Sequence, residues 1–244
     1  VTTVLPASAR LAWWGTAWLR GHEVTDLVLD AVIGGDATHV IAGVPGYDGT
    51  ATLVEGLAEL RRMGATGFGA AFPAEGDPVG LGGPAELNRE ALDAGEAVLV
   101  DGVGVGLVPH RTGAAVAWTV HPANRRQLPD VGEADRALRV GLLETAEALA
   151  GLDVARWRPE VADRLMDLRH RDPLTAPDGV PPRCVELAVR GLQASDIVAL
   201  ALEDDGAAIT AYEAEQRRAA LVPLERAGRR ALAAACSPEV WPPH

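Results

Sequence analysis

Short apolar runs and amphipathic stripes alternate along the chain, and their order predicts an α/β front half followed by a helical back half. Pro6 and Ser8 open a first helix at about 8–20, with Leu11, Trp14 and Trp18 on one stripe. Thr25 is placed to cap a second helix over about 26–33, closed by Gly34-Gly35. His39-Val40-Ile41-Ala42 then reads as a short buried strand. A glycine loop over 43–49 leads to a helix over 51–63, with Leu53, Leu57 and Leu60 inward. A second strand covers 66–72, and a loop rich in Gly and Pro covers 73–84. A helix at about 85–94, a strand at 97–100 and a hairpin of strands 104–109 and 115–121 complete the front half.

This succession predicts a mixed, mainly parallel sheet with flanking helices, its last strands adding an antiparallel edge. The segment 122–129 marks the expected boundary, giving an α/β domain over 1–125 and an all-helical domain or extension over 126–244. Helices are expected at 130–151, at 159–170, from Pro181-Pro182 to about 204, and from a capping box at Thr210–Glu213 to about 235. Pro223 is expected to break or kink the last one. The helix after Pro182 is apolar almost all round, so it is expected at the centre of a bundle, and apolar helices offer a surface for a homo-oligomer.

Charge and missing residue types narrow the function. All 22 basic residues are Arg, and the net charge is −12. Residues 1–128 hold 14 acids and 8 Arg, and the remainder holds 20 acids and 14 Arg, so neither half has a basic excess. This argues against nucleic acid and anionic membranes as partners. Without Lys there is no Walker phosphate loop, no pyridoxal Schiff base and no kinase strand lysine. His170-Arg171-Asp172 therefore reads as a chance match to a kinase tripeptide. Ser8, Ser195 and Ser237 are the only serines, and none lies in a nucleophile elbow. Cys184 and Cys236 have no metal-type spacing, no His-x-His or His-Glu-x-x-His motif exists, and no cofactor is expected. A carboxylate-held Mg²⁺ needs no tight motif and stays open. No apolar run reaches the ~20 residues of a membrane span. With no basic leader segment and two isolated thiols, a cytoplasmic protein is expected.

Four constellations remain. Gly43, Gly46 and Gly49 lie between a strand and a helix, where bared N–H groups can hold an anion, although a plain turn is the preferred reading. If the first two strands are parallel, the 73–84 loop shares their rim, and Tyr47, Asp48, Glu75, Asp77, Asn88 and Arg89 converge on a small anionic ligand. His110 and His121 read as separate: a turn at 112–113 pairs 110 with 115 and 104 with 121, placing the rings at opposite ends of the hairpin. Asp196 within an apolar helix reads as an ion-pair partner, and Arg156-Trp157-Arg158 as an aromatic anchor between helices.

The run Leu87-Asn-Arg-Glu-Ala-Leu-Asp-Ala-Gly-Glu-Ala-Val-Leu-Val100 and the stretch Leu152-Asp-Val-Ala-Arg-Trp-Arg-Pro-Glu160 resemble a family of uncharacterised actinobacterial proteins, over most of the chain. The resemblance implies no assigned activity and no catalytic residues. The expectation is a non-catalytic protein that binds a ligand or partner. The alternative is an enzyme acting on a small anionic metabolite at the sheet rim, with Asp48, Glu75 or Asp77 as acid/base groups or Mg²⁺ ligands.

Overall fold

The computed structural model describes residues 4–151, 173–203 and 211–242. The expected helix at 159–170, the Arg156–Arg158 anchor, the tripeptide at 170–172 and the capping Thr210 lie outside the described residues.

Helix α1 is built of Ala7–Arg10, a π-helical turn at Leu11–Gly15, and Thr16–Leu19. The π turn inserts an extra residue into the hydrogen-bond ladder and rotates the stripe that follows it. Trp13, rather than Trp14 or Trp18, is therefore the fully buried indole, and it donates from Nε1 to the Ala235 carbonyl (3.1 Å). Helix α2, Thr25–Ile33, is not capped by Thr25: that hydroxyl lies inside the first turn and accepts from Trp18 Nε1 (3.1 Å).

The strands are β1 (Thr38–Ala42), β2 (Thr50–Thr52), β3 (Gly67–Ala71), β4 (Ala97–Asp101), β5 (Val105–Thr112) and β6 (Ala115–Pro122). They form one mixed sheet in the order β2-β1-β6-β5-β4-β3. Helix α3 (Leu53–Arg62) follows β2, and α4 (Ala85–Ala94) lies between β3 and β4. β2 occupies the start of the stretch expected to be helical, because Thr52 forms a capping box with Glu55 and the helix begins only at Leu53.

The sheet is mixed, but its parallel share is smaller than expected: β1 and β6 are parallel, and every other neighbouring pair is antiparallel. The cause is the 73–84 loop. It runs back along the sheet until Gly83 accepts from the Asn124 N–H, beside the β4–β5 turn. Helix α4 must then climb in the direction opposite to a crossover helix, and β4 returns antiparallel to β3, with Ala71 opposite Ala97.

The two sheet faces are covered unequally. One buries Trp13, Phe68, Trp118, Ile41 and Leu60 under α1, α2 and α3, and this core continues into the back half through Leu138, Leu187, Leu221 and Leu224. Those come from α5 (Val131–Gly151), α6 (Pro182–Glu203) and α7 (Ala211–Ala235). The α7 end docks on β3: the Ala70 N–H donates to the Cys236 carbonyl (2.9 Å), and Ser237 Oγ donates to the Ala70 carbonyl (3.2 Å). The opposite face is covered chiefly by α4, through a small cluster of Ala71, Leu87, Ala91, Ala97, Leu99 and Val108.

Helix α7 passes Pro223 without breaking. Contact with α5 supports it there, since Gly141 seats against the Pro223 carbonyl and Thr145 Oγ1 donates to the Ala220 carbonyl (3.2 Å). None of the described helices is long and apolar enough to cross a membrane.

Candidate functional site

Gly43, Gly46 and Gly49 all have positive φ (78°, 79° and 89°), so their spacing serves a left-handed turn. β2 separates this loop from α3, and the helix N-terminus is already closed. The Thr52 N–H donates to the Glu55 carboxylate (2.9 Å), and the Glu55 N–H donates to Thr52 Oγ1 (3.4 Å). A carboxylate therefore stands where an anion would bind. Tyr47 is half-buried with its hydroxyl against Glu55, and Asp48 is exposed.

The second loop leaves the sheet four strand positions from β1 and in the opposite direction, roughly 19 Å away at the usual strand spacing. Glu75 is exposed at its tip. Asp77 is only 3% exposed and is held by Arg230 Nη2 (2.8 Å) and Arg229 Nη2 (3.5 Å), with Arg226 Nε at 3.7 Å. It ties the loop to α7. Asn88 Oδ1 accepts from the Gly83 N–H (3.0 Å), closing the loop onto α4, and Arg89 is exposed. The structure thus brings Asn88 to the second loop but does not bring Tyr47 and Asp48 to Glu75 and Asp77. The expected shared rim required parallel strands, and β1 and β3 are neither neighbours nor parallel.

Sequence reading missed a buried polar hub on the thicker face. Asp36 accepts from Arg10 Nη2 (2.6 Å), Arg111 Nη1 (2.7 Å) and His39 Nε2 (3.0 Å). Trp118 Nε1 donates to His39 Nδ1 (3.3 Å). Burial pushes the Asp36 carboxyl up, yet the hydrogen bonds from His39, Arg111 and Arg10 outweigh it and hold the group well below the usual carboxylate range. Burial drives the His39 imidazole below its ordinary value, against the pull of Asp36. Both ring nitrogens are engaged, so the hub has no lone pair to offer a substrate, and its role is to lock α1, β1 and β6 together.

On the thinner face the two remaining hairpin histidines meet. The hairpin turns at Gly113-Ala114, two residues out of the expected register, so His110 faces Ala117 and His121 faces Gly106. Both rings lie on the α4 side, and Glu90 of α4 stands between them: its Oε2 is 2.9 Å from His121 Nε2 and 3.6 Å from His110 Nε2. Their separation within the hairpin hid this, because the joining residue comes from another element. Glu86 lies one turn before Glu90 on α4.

The same side of the sheet ends in a groove of about 690 Å³, between the β4–β5 turn, the 123–128 segment and the chain after α7. That volume suits a small metabolite. Asp101, Asn124, Arg125 and Gln127 supply its polar groups, and Leu99 and Val105 its apolar ones. Asp101 is half-buried and makes no side-chain hydrogen bond among the described residues. Burial, reinforced by Glu239, pushes its carboxyl up to about 6, against the pull of Arg126 and Arg20. Arg126 is occupied: it donates to Glu239 (2.7 Å), Ser237 Oγ (2.9 Å) and the Ala70 and Gly80 carbonyls (2.9 and 3.3 Å). Its side chain crosses β3 where Gly69 has no Cβ to obstruct it. Arg125 is exposed, and among the described residues it forms no ion pair.

Comparison with known proteins returns matches over both halves. Family models described as the N-terminal and C-terminal domains of Rv1486c-like protein match residues 8–133 and 132–233. The chain is 30% identical over 240 residues to the uncharacterized protein Rv1486c of Mycobacterium tuberculosis (strain ATCC 25618 / H37Rv), a match covering 79% of this chain and 82% of that one. It is 29% identical over 198 residues to the uncharacterized protein MAV321 of Mycobacterium avium, covering 64% of this chain and 65% of the relative. No solved structure matches.

Proposed function

The chain belongs to the Rv1486c-like protein family, and from that premise we propose that it is a binding protein for a small polar metabolite carrying an anionic group, held in the groove beside Asp101 and Arg125. The observation that carries this reading is the pairing, on one groove of about 690 Å³, of a half-buried carboxyl and an exposed guanidinium that, among the described residues, have no side-chain hydrogen bond and no ion pair respectively. Arg125 receives the anionic group, Asp101 accepts from a hydroxyl or amine of the ligand, and Asn124 and Gln127 complete the polar lining. Leu99 and Val105 offer the apolar wall that such sites use for shape. The cytoplasm is the compartment this reading assumes, and the free, buried thiols of Cys184 and Cys236 support it.

The test is a thermal-shift screen of the full chain against nucleotides, sugar phosphates, acyl-CoA species and amino acids. A ligand at about 100 times its Kd raises stability by ~2.7 kcal/mol, which is readily seen. The stabilisation is expected to disappear in Arg125→Ala and to shrink in Asp101→Asn, while Asp48→Ala and Glu75→Ala leave it intact. A flat screen, or a hit unaffected by Arg125→Ala, refutes the groove.

A further inference from the structure

We propose that Glu86, Glu90 and His121 form a binding site for a divalent transition metal ion of the zinc class, separate from the groove. One ligand atom from each of the three lies within 4.8 Å of the others. The two carboxylates are four residues apart on α4 and so share one helix face, while the imidazole rises from β6 beneath them.

His121 distinguishes this cluster from a patch of surface acids. The residue is 7% exposed, and its Nε2 is buried and makes no hydrogen bond among the described residues. Glu90 Oε2 stands 2.9 Å away but off the hydrogen-bond axis of the ring. A simple ion pair would aim the N–H at the oxygen. Two ligands of one metal do the opposite: each points its lone pair at the ion, about 2.0–2.2 Å away, and they sit side by side roughly 3–3.5 Å apart. The misalignment seen here, at a separation just short of that spacing, agrees with the second arrangement. Glu86 is exposed, and His110 Nε2 lies 3.6 Å from the same Glu90 oxygen.

The donor set selects the ion. An imidazole nitrogen favours zinc and its first-row neighbours over Mg²⁺ and Ca²⁺, which seek all-oxygen shells. With three protein ligands, a fourth position is left for water or a ligand atom, as in open zinc sites.

Tag-free full-length protein, stripped with EDTA, is titrated with Zn²⁺ by calorimetry and with Co²⁺ by visible absorption. One ion per chain is expected, with a Co²⁺ ligand-field band that Zn²⁺ abolishes and excess Mg²⁺ does not. Glu90→Gln and His121→Gln are expected to weaken binding by at least about tenfold. Should His121→Gln fail to fold, Glu86→Gln, on the exposed helix surface, keeps the metal-free melting temperature and still weakens binding. No stoichiometric site in the unaltered chain, displacement by Mg²⁺, or an affinity in Glu86→Gln and Glu90→Gln unchanged from that of the unaltered chain overturns the assignment.

Discussion

The two faces of the sheet are built from the same strands yet do different work. On one, Val98, Val100, Leu107, Val116 and Trp118 join a core that extends through both halves of the chain. On the other, the alternate residues of the same strands meet one ten-residue helix and a six-residue apolar cluster. The thick face has many apolar partners per side chain, and the hub on it gathers Arg10, Arg111 and His39 around Asp36, with Trp118 on His39. On the thin side His121 Nε2 is buried without a hydrogen bond among the described residues, and Asp101 and Arg125 line an open groove. Both proposed sites lie where the cover is thin, where a polar group can be shielded without being sealed away.

The comparison is tested most strongly by truncating each face. Trp13→Ala removes a fully buried indole and its bond to the Ala235 carbonyl, and should cost about 3–5 kcal/mol. Leu87→Ala on the thin face should cost nearer ~2 kcal/mol, since Leu87 belongs to α4, the helix that chiefly covers that face, and α4 can settle toward the sheet into the gap. Denaturant unfolding followed by circular dichroism measures both, and equal costs would erase the distinction between the faces.

A smaller effect probes how the groove is held. At Gly82 an added Cβ would lie 2.5 Å from the Arg125 carbonyl, a backbone atom that no side-chain rotation can move. Gly82→Ala should therefore cost about 1–3 kcal/mol and displace the 123–128 segment. Ligand affinity in the groove should fall further than the melting temperature suggests. A variant with unchanged affinity would show that this segment does not shape the site.

The smallest effect is in pH dependence, where the faces carry opposite signs. His39 on the thick face is held below its ordinary value, so the unfolded chain takes up its proton first and stability falls as pH drops below about 6.5. Asp101 on the thin face is raised to about 6, so its burial favours folding at low pH, and that contribution is lost as pH rises from about 4 toward 6. Asp101→Asn should add no more than about 1 kcal/mol at pH 7, allowing for solvent screening, and nothing at pH 4. His39→Gln should flatten the slope between pH 7 and 5. Melting temperatures across pH 4–8 read both, and parallel profiles in the two variants would contradict the assignment.

Periodicity and punctuation alone determined much of this protein. The 131–151 helix, the strand at Ala97, the hairpin around Gly113 and the glycine turn at 43–49 follow from local sequence, because each is set by side-chain spacing or by a residue that tolerates positive φ. The Asp135–Arg139 ion pair is local in the same sense, its partners standing four residues apart on one helix. Tertiary structure decided the rest. The π turn that buries Trp13 depends on what α1 packs against, and the antiparallel return of β4 depends on the path of a loop whose composition does not encode direction. The candidate sites lie furthest from local reading. Glu90 reaches His121 across 31 positions of sequence, and Asp101 meets Glu239 across 138, so neither proximity leaves a motif. Spacing along a chain reports only on neighbours within one element, while a site assembled from several elements exists only once packing has fixed their positions.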